Sequence, residues 1–483
     1  MPTPVPPCDA FTQLRHDAET ALQFHGPTPS PWVVERAGVD EQVVVVGAGH
    51  SGLAIGLALQ RAGVRVVLID AAGPQAPPGI WTTKARMRVL RTPKLLAGPE
   101  VELQALSFRH WYETQHGAAA YQALPSIGRE DWSAYLVWFR SVTGLDIRRE
   151  TELLALLPRP DGHVGLQLRH AGQTFTRVAR KVVLATGVVG SGAPFLPAVL
   201  SDLRGSGRVW HADDAIDFSR MQGARVAVLG AAASGFDVAA AALEGGAAQV
   251  SLFSRRPDLV RGSAARGLGF PGAQESFCSL PDTLRWQAIR AVRAYGGGAP
   301  FSSLERVAAQ PAFRLHLAEA WQQVSQGPGE TLQVRTQRGT SSFDCVVAAT
   351  GYRVDLAQRP EMEQLRPAIR LWAQQVPAAW VQEDEELGRF PYLGEGFEFL
   401  EAAQGSLPSL AHVHCFNYGA FASFGRLVGD VPSLRLGVPR LVRHILRDLL
   451  LADQDEQLRR MTAQVSEDFS RDDYLRLFAG RTA

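Results

Sequence analysis

Residues 43–70 read VVVVGAGHSGLAIGLALQRAGVRVVLID, and this stretch decides the fold. Four valines form a strand-sized apolar run, a glycine-rich turn follows, an alanine- and leucine-rich segment continues at helical spacing, and a second apolar run ends in Asp70. Gly47, Gly49 and Gly52 stand in the G-x-G-x-x-G spacing. The three glycines serve different ends. Gly47 permits the tight turn, Gly49 admits a pyrophosphate close to the backbone, and Gly52 brings helix and strand together. The helix start, with His50 and Ser51, supplies amide donors and the positive end of the helix dipole. Asp70 stands where a carboxylate accepts hydrogen bonds from an adenosine ribose. The context of strand, turn, helix and strand is complete, so a dinucleotide site is expected here.

The same grammar returns at residues 225–257, RVAVLGAAASGFDVAAAALEGGAAQVSLFSRRP. Gly230 and Gly235 keep their places, Ser234 lies at the helix start, and Ala232 replaces the middle glycine, which sets the backbone slightly back from a phosphate. The second strand ends not in an acid but in Ser254, Arg255 and Arg256. A guanidinium there pairs with a 2′-phosphate that a carboxylate would repel, which favours NADPH over NADH. Two arginines on a solvated loop would read the same way.

Two strands close in the same words, LATG at 184–187 and AATGYR at 348–353. Small residues and a glycine let the chain pass beneath a bound dinucleotide, so Thr186, Gly187, Thr350, Gly351 and Tyr352 are cofactor-contact candidates. Their positions on either side of the second repeat suggest two crossings between domains. The expected organisation is an α/β chain with two Rossmann-like dinucleotide-binding domains, the second inserted in the first. An extension occupies 1–38, the first domain 39–205, the inserted domain 206–339, the resumed first domain 340–452 and a helical segment 453–483. In the extension, Phe11, Leu14, Ala18, Ala21 and Leu22 recur at helical spacing and predict a helix packed on the body. Near the end, Gly429-Asp430 precedes a helix-like stretch. Asp430 there serves as an N-cap or as a partner for a flavin ribityl hydroxyl.

The bulk numbers narrow the classes. At 483 residues the chain accommodates two or three domains. A formal net charge of +1 gives no long-range attraction to nucleic acid or a membrane surface. The longest apolar runs are strand-sized, and the first residues carry no secretory pattern, so a reducing cytoplasm is the expected compartment. The four cysteines lie far apart without a C-x-x-C pair, which removes the usual support for a dithiol reductase or a zinc site. No metal ligand set and no nucleophile motif of the G-x-S-x-G or H-E-x-x-H kind is evident.

Taken together, the two dinucleotide folds, the ATG before the second and the ATGY after it resemble the class B flavin-dependent monooxygenases over most of residues 40–450. The resemblance implies FAD on the first fold and NADPH on the second. In it, Gly79-Ile80-Trp81 corresponds to a G-x-W turn that places Trp81 near the flavin, and Gly207 to His211 match G-x-x-x-H in the linker. Gly205 stands where that motif has Phe and Ala215 where the Baeyer–Villiger pattern has Trp, which argues against a Baeyer–Villiger role. The stretch 81–117, with the block at 128–140, is similar to bacterial flavoproteins that include nitrosuccinate-forming amino-acid N-hydroxylases and an FAD-dependent urate hydroxylase.

In such enzymes the cofactor carries the chemistry: NADPH reduces the flavin, molecular oxygen adds to it, and a C4a-(hydro)peroxide transfers one oxygen atom. The resemblance does not carry a substrate with it; the leading expectation is a monooxygenase acting on a small polar, anionic molecule, with N-hydroxylation of an amino acid slightly ahead of ring hydroxylation of urate. The basic run Lys84, Arg86, Arg88, Arg91 and Lys94 would hold such an anion or stabilise charge on reduced flavin, with Arg91 and Lys94 the preferred contacts; a solvated loop is the plain alternative. His211 is a hinge or cofactor-contact candidate, and Asn417 lies in a segment expected near the flavin ring. Trp132, Tyr135, Trp138 and Phe139 read as core at helical spacing. A flavin oxidase or reductase releasing peroxide, and a flavin-binding sensor, are the competing classes. A homodimer is left open.

Overall fold

The computed structural model describes residues 7–96, 98–463 and 467–481. The valine run forms the centre of the first sheet. Glu41–Val46 lies between Val66–Ile69 and the end of Gln173–Leu184, parallel to both. A strand covered on both faces has no polar side, which is why Val43, Val44 and Val45 are all fully buried. Asp146–Arg148 extends this sheet beyond Val66–Ile69. On the other side the long strand Gln173–Leu184 forks. Its first half pairs antiparallel with Val164–His170, which in turn pairs with Thr151–Pro158. Its last residues pair parallel with Val413–Cys415, from near the end of the chain.

The second sheet is parallel throughout, in the order Phe313–His316, Gln249–Phe253, Arg225–Leu229, Cys345–Ala348, Val209–His211. Separate apolar clusters cover its two faces. A three-stranded antiparallel meander, Trp321–Gln326, Leu332–Thr336 and Gly339–Phe343, precedes its last-entering strand. The chain leaves the first domain through Gly192–Pro194 and returns through Tyr352–Val354, and these two crossings pair antiparallel as a ribbon. The second fold is thus inserted in the first.

Cys345–Ala348 bonds to Arg225–Leu229 and Val209–His211, so the inserted domain ends near residue 349. The N-terminal helix Pro7–Phe24 packs on the body through Leu14 and Ala18, both fully buried, while Phe11 remains half exposed. The helix predicted after Gly429-Asp430 runs Leu434–Ala452. It ends at Asp453, whose buried carboxylate accepts from Arg180 at 2.7 and 3.0 Å and from Arg36 at 2.7 Å, tying both ends of the first domain to its sheet. Trp132, Tyr135, Trp138 and Phe139 are buried on the helix Arg129–Val142. Among the described residues no helix is long and apolar enough to cross a membrane.

Candidate cofactor and substrate cleft

Each glycine turn is built against an ATG turn. Gly47 has φ +102°, and a Cβ there would lie 2.6 Å from the Ala185 carbonyl oxygen; at Gly52 it would lie 1.8 Å from that of Gly47. In the second fold Gly230 has φ +115° with Ala349 O at 2.4 Å, and Gly235 would meet Gly230 O at 1.9 Å. Only glycine fits these places, because any methyl would displace backbone. The small-residue strand ends are therefore the floor on which each nucleotide turn rests. The two copies of the feature are one geometric device used twice.

At the first turn, the helix His50–Arg61 has Gly49 as N-cap and no side-chain cap, which leaves first-turn amides for a ligand. Gly49 itself meets nothing nearer than Gly79 Cα at 3.7 Å. Asp70 accepts from the amides of Ala48 and Ala72, each at 2.8 Å, and is thereby held at the strand end beside the turn. Trp81 packs against His50 with ring centroids 5.7 Å apart, and its buried indole N–H has no protein partner. A cradle closed to side chains, unclaimed helix amides and an orphaned donor fit a bound dinucleotide. His50 Nε2–H and the Ser51 hydroxyl both donate to the Gly429 carbonyl, the former at 3.0 Å. Burial holds the His50 imidazole down at about 4, so it is neutral at physiological pH. Asp430 caps the following turn by accepting from Ser433 N at 3.2 Å; burial raises its carboxyl and the Arg426 charge opposes that. Its N-cap role is present in the contacts, and its second carboxylate oxygen retains acceptor capacity.

At the second turn Ala232 is the N-cap, in ordinary extended geometry, and Ser234 is exposed. The two arginines of the pair act differently. Arg256 donates to Tyr295 O and Ala294 O, both at 3.0 Å, closing the C-terminal end of the helix Asp282–Tyr295. Arg255 is exposed, and no ion pair or hydrogen bond engages its guanidinium among the described residues.

Between the folds, the basic run does not stand open. Lys84 pairs with Asp213 at 2.9 Å, Arg88 with Glu244 at 2.7 Å and Arg91 with Asp237 at 2.7 Å, while Arg86 donates to Asp214 O at 3.0 Å. All four acids belong to the inserted domain, two of them on its nucleotide helix Ala233–Glu244. Lys94 donates to Tyr121 O, Gln122 O and Leu124 O at 2.7, 3.0 and 2.6 Å. Its three donors are thus committed to carbonyls at a helix end, which leaves none for the expected anion. Arg91 and its neighbours act as a clasp between domains. The acids Asp213, Asp237 and Glu244 were not singled out from the sequence; the one signal for them was that so many adjacent cations require partners.

His211 is buried, accepts from Asp213 N at Nδ1 (3.0 Å) and donates from Nε2 to Gly351 O (3.1 Å). Burial lowers its pKa, the nearby Asp213 and Asp214 charges opposing, and both ring nitrogens are used by the neutral form. It joins the linker to the second ATG turn. Tyr352 donates to Asp213 at 3.0 Å, and Thr350 donates to Phe195 O. Asn417 is fully buried and donates to Thr186 Oγ1 at 3.2 Å and Leu184 O at 3.3 Å, while its carbonyl accepts from Ser191 and Gly419. It positions the first ATG turn, with Gly187 at φ +72° just beyond.

Two glycine turns at the ends of two parallel-stranded sheets, joined by the ion pairs of the basic run, are the arrangement of a two-dinucleotide flavoprotein oxidoreductase. A family model described as pyridine nucleotide-disulphide oxidoreductase matches residues 41–267. The chain is 34% identical over 448 residues to the FAD-dependent urate hydroxylase of Xanthomonas campestris pv. campestris, covering 92% of this chain and 94% of that protein. It belongs to that family of FAD-dependent monooxygenases. Among solved structures it is similar to the ornithine hydroxylase of Pseudomonas aeruginosa, with a TM-score of 0.67 at 17% identity, covering 85% of this chain and 99% of that one. The ornithine N-hydroxylase of Kutzneria sp. 744, solved with reduced FAD, NADP+ and L-ornithine, gives 0.67 at 17% identity over 84% of this chain and 99% of that one. At such identities these likenesses describe the fold.

Proposed function

We propose that the protein is an NADPH-dependent flavin monooxygenase that hydroxylates a small organic anion of the urate type. The observation that carries this reading is the 34% identity to a urate hydroxylase over 92% of this chain, joined to two glycine cradles that both exclude side chains. The overall change takes one O2, one NADPH and one proton, places one oxygen on the substrate and releases the other as water. Bound flavin supplies the redox chemistry, accepting hydride and activating oxygen. The chain's own residues bind and orient. The amides at His50–Gly52 would hold the FAD pyrophosphate, Asp70 its ribose and Asp430 a ribityl hydroxyl. Arg255 pairs with the 2′-phosphate of NADPH, and Gly230 and Gly235 admit its pyrophosphate. His211, with its proton on Nε2, holds the second ATG turn, and Asn417 holds the first.

N-hydroxylation of an amino acid takes second place, because the likeness to amino-acid N-hydroxylases extends to the fold alone. A disulfide-reductase activity finds no support at Cys345 and Cys415, which are buried, with burial pushing each thiol up to about 12. The test is a balance sheet of oxygen. Under turnover with NADPH, urate and L-aspartate are supplied separately, and O2 uptake, peroxide release and oxygenated product are followed together. Urate should speed NADPH oxidation and yield product matching O2 consumed. Peroxide equal to O2 consumed with either compound would instead make the protein an oxidase.

A further inference from the structure

We propose that Arg426, on a loop that touches both nucleotide folds, receives the anionic group of the substrate; the assignment rests on the monooxygenase reading above. Arg426 lies in a loop pinned at both ends. On one side, Gly425 has φ +63°, and a Cβ there would lie 3.3 Å from the Phe277 ring, so the loop presses on the helical segment inserted within the second sheet. On the other, Gly429 has φ +75°, would meet Phe416 O at 2.9 Å, and accepts from His50 and Ser51 at the start of the first nucleotide helix. Phe424 and Leu427 flank the arginine and are buried. The loop is therefore held where elements of both nucleotide folds converge.

The guanidinium itself is unsatisfied. Arg426 is half-buried, its Nε is buried without a hydrogen-bond partner, and no hydrogen bond or ion pair engages its side chain among the described residues. Its charge is felt by Asp430, whose carboxyl it pulls down against burial, yet the two form no ion pair. Neighbouring arginines engage their terminal nitrogens, although Arg285 and Arg440 share the unpartnered buried Nε. Arg88 and Arg91 pair with carboxylates of the inserted domain, Arg285 is held by Asp282 and Tyr392, and Arg440 donates to Glu275 O and Glu395 O. A cation half withdrawn from water without a partner carries part of the desolvation cost, and an incoming anion relieves it. The planar fork of the guanidinium matches two adjacent acceptors on one flat centre, as in a carboxylate or the oxygen and nitrogen edge of a urate anion.

The experiment uses the FAD-loaded full chain and its Arg426→Gln and Arg426→Lys variants, with Arg435→Gln on the exposed face of the following helix as a charge-loss control. Urate and L-aspartate are titrated in without NADPH, and binding is followed by the flavin difference spectrum and by calorimetry. Loss of a charge-assisted hydrogen bond is expected to raise the Kd of the bound anion about ten- to a hundred-fold in Arg426→Gln. Arg426→Lys should fall between, and Arg435→Gln should match the parent. FAD content and the rate of anaerobic reduction by NADPH should stay with the parent in all variants. An unchanged anion Kd in Arg426→Gln overturns the assignment, and so does loss of FAD in its place, which would put the arginine on the cofactor's phosphates. Failure of both anions to bind the parent protein overturns it as well. Reduction of the parent flavin by NADPH, read in the same preparation, judges the monooxygenase reading separately.

Discussion

Replacing Arg91 with alanine should weaken the hold between the two domains, because its partner is a carboxylate of the inserted domain's nucleotide helix. Arg91 and Asp237 are 2.7 Å apart; the Asp237 side chain is 4% exposed and that of Arg91 41%. Two unit charges about 4 Å apart at an effective dielectric near 20 attract by about 4 kcal/mol. The exposure of Arg91 and the desolvation of Asp237 remove most of that, leaving a coupling of about 1–2 kcal/mol. Asp237 is not stranded by the change, since it also accepts from Ser303 at 2.7 Å and lies 4.0 Å from Arg306. The assay is a double-mutant cycle of Arg91→Ala and Asp237→Asn, read from urea unfolding of the inserted domain and from NADPH affinity. The coupling should shrink with added salt, as expected for a partly exposed pair. Additivity of the two changes within about 0.3 kcal/mol would refute the clasp and return Arg91 to the role of a free cation.

Other outcomes follow from the same geometry. Arg255→Ala should raise the Kd for NADPH by about ten- to a hundred-fold while NADH binding stays unchanged, whereas equal losses for both nucleotides would remove Arg255 from the 2′-phosphate. Gly52→Ala places a methyl 1.8 Å from Gly47 O, so the purified variant should lack FAD; a normal flavin spectrum would contradict the cradle. His414 is buried, its Nδ1–H donates to Gly396 O at 2.7 Å, and burial pushes its pKa from 6.5 to about 3. The unfolded imidazole takes its proton first. The contribution of this group is therefore complete above pH 6.5 and drains as pH falls toward 3, by about 2 kcal/mol between pH 7 and pH 5. His414→Asn should flatten that slope in denaturation curves taken across the same range, and an unchanged slope would mean the imidazole is already protonated in the fold.

Much of this fold was legible because steric rules leave marks in a sequence. Gly47, Gly52, Gly230 and Gly235 occupy places where a methyl would strike a carbonyl, and only a glycine spacing encodes that. The valines of Glu41–Val46 and the strand Arg225–Leu229 lack a polar alternation because both faces are covered. The antiparallel pair Thr151–Pro158 and Val164–His170 was not read, although Val164, Leu166 and Leu168 alternate with Gly165, Gln167 and Arg169 as a strand buried on one face would. The domain return was placed at residue 340 rather than 349 because an apolar strand such as Cys345–Ala348 reads alike in either sheet. The basic run shows the same limit for the site. Its charges were visible, but their partners lie far along the chain, and a local reading could not tell a clasp from an anion site. Likewise nothing adjacent distinguishes Arg255 from Arg256; the helix end that engages the second is built nearly forty residues later.

The most direct test of the account is an anaerobic stopped-flow comparison of NADPH and NADH on the FAD-loaded protein. The account predicts rapid loss of the oxidised flavin absorbance with NADPH and slow loss with NADH, with the preference abolished in Arg255→Ala. Absence of reduction by either nucleotide, with urate present or absent, would contradict it and leave a protein that binds flavin on the first fold without using the second.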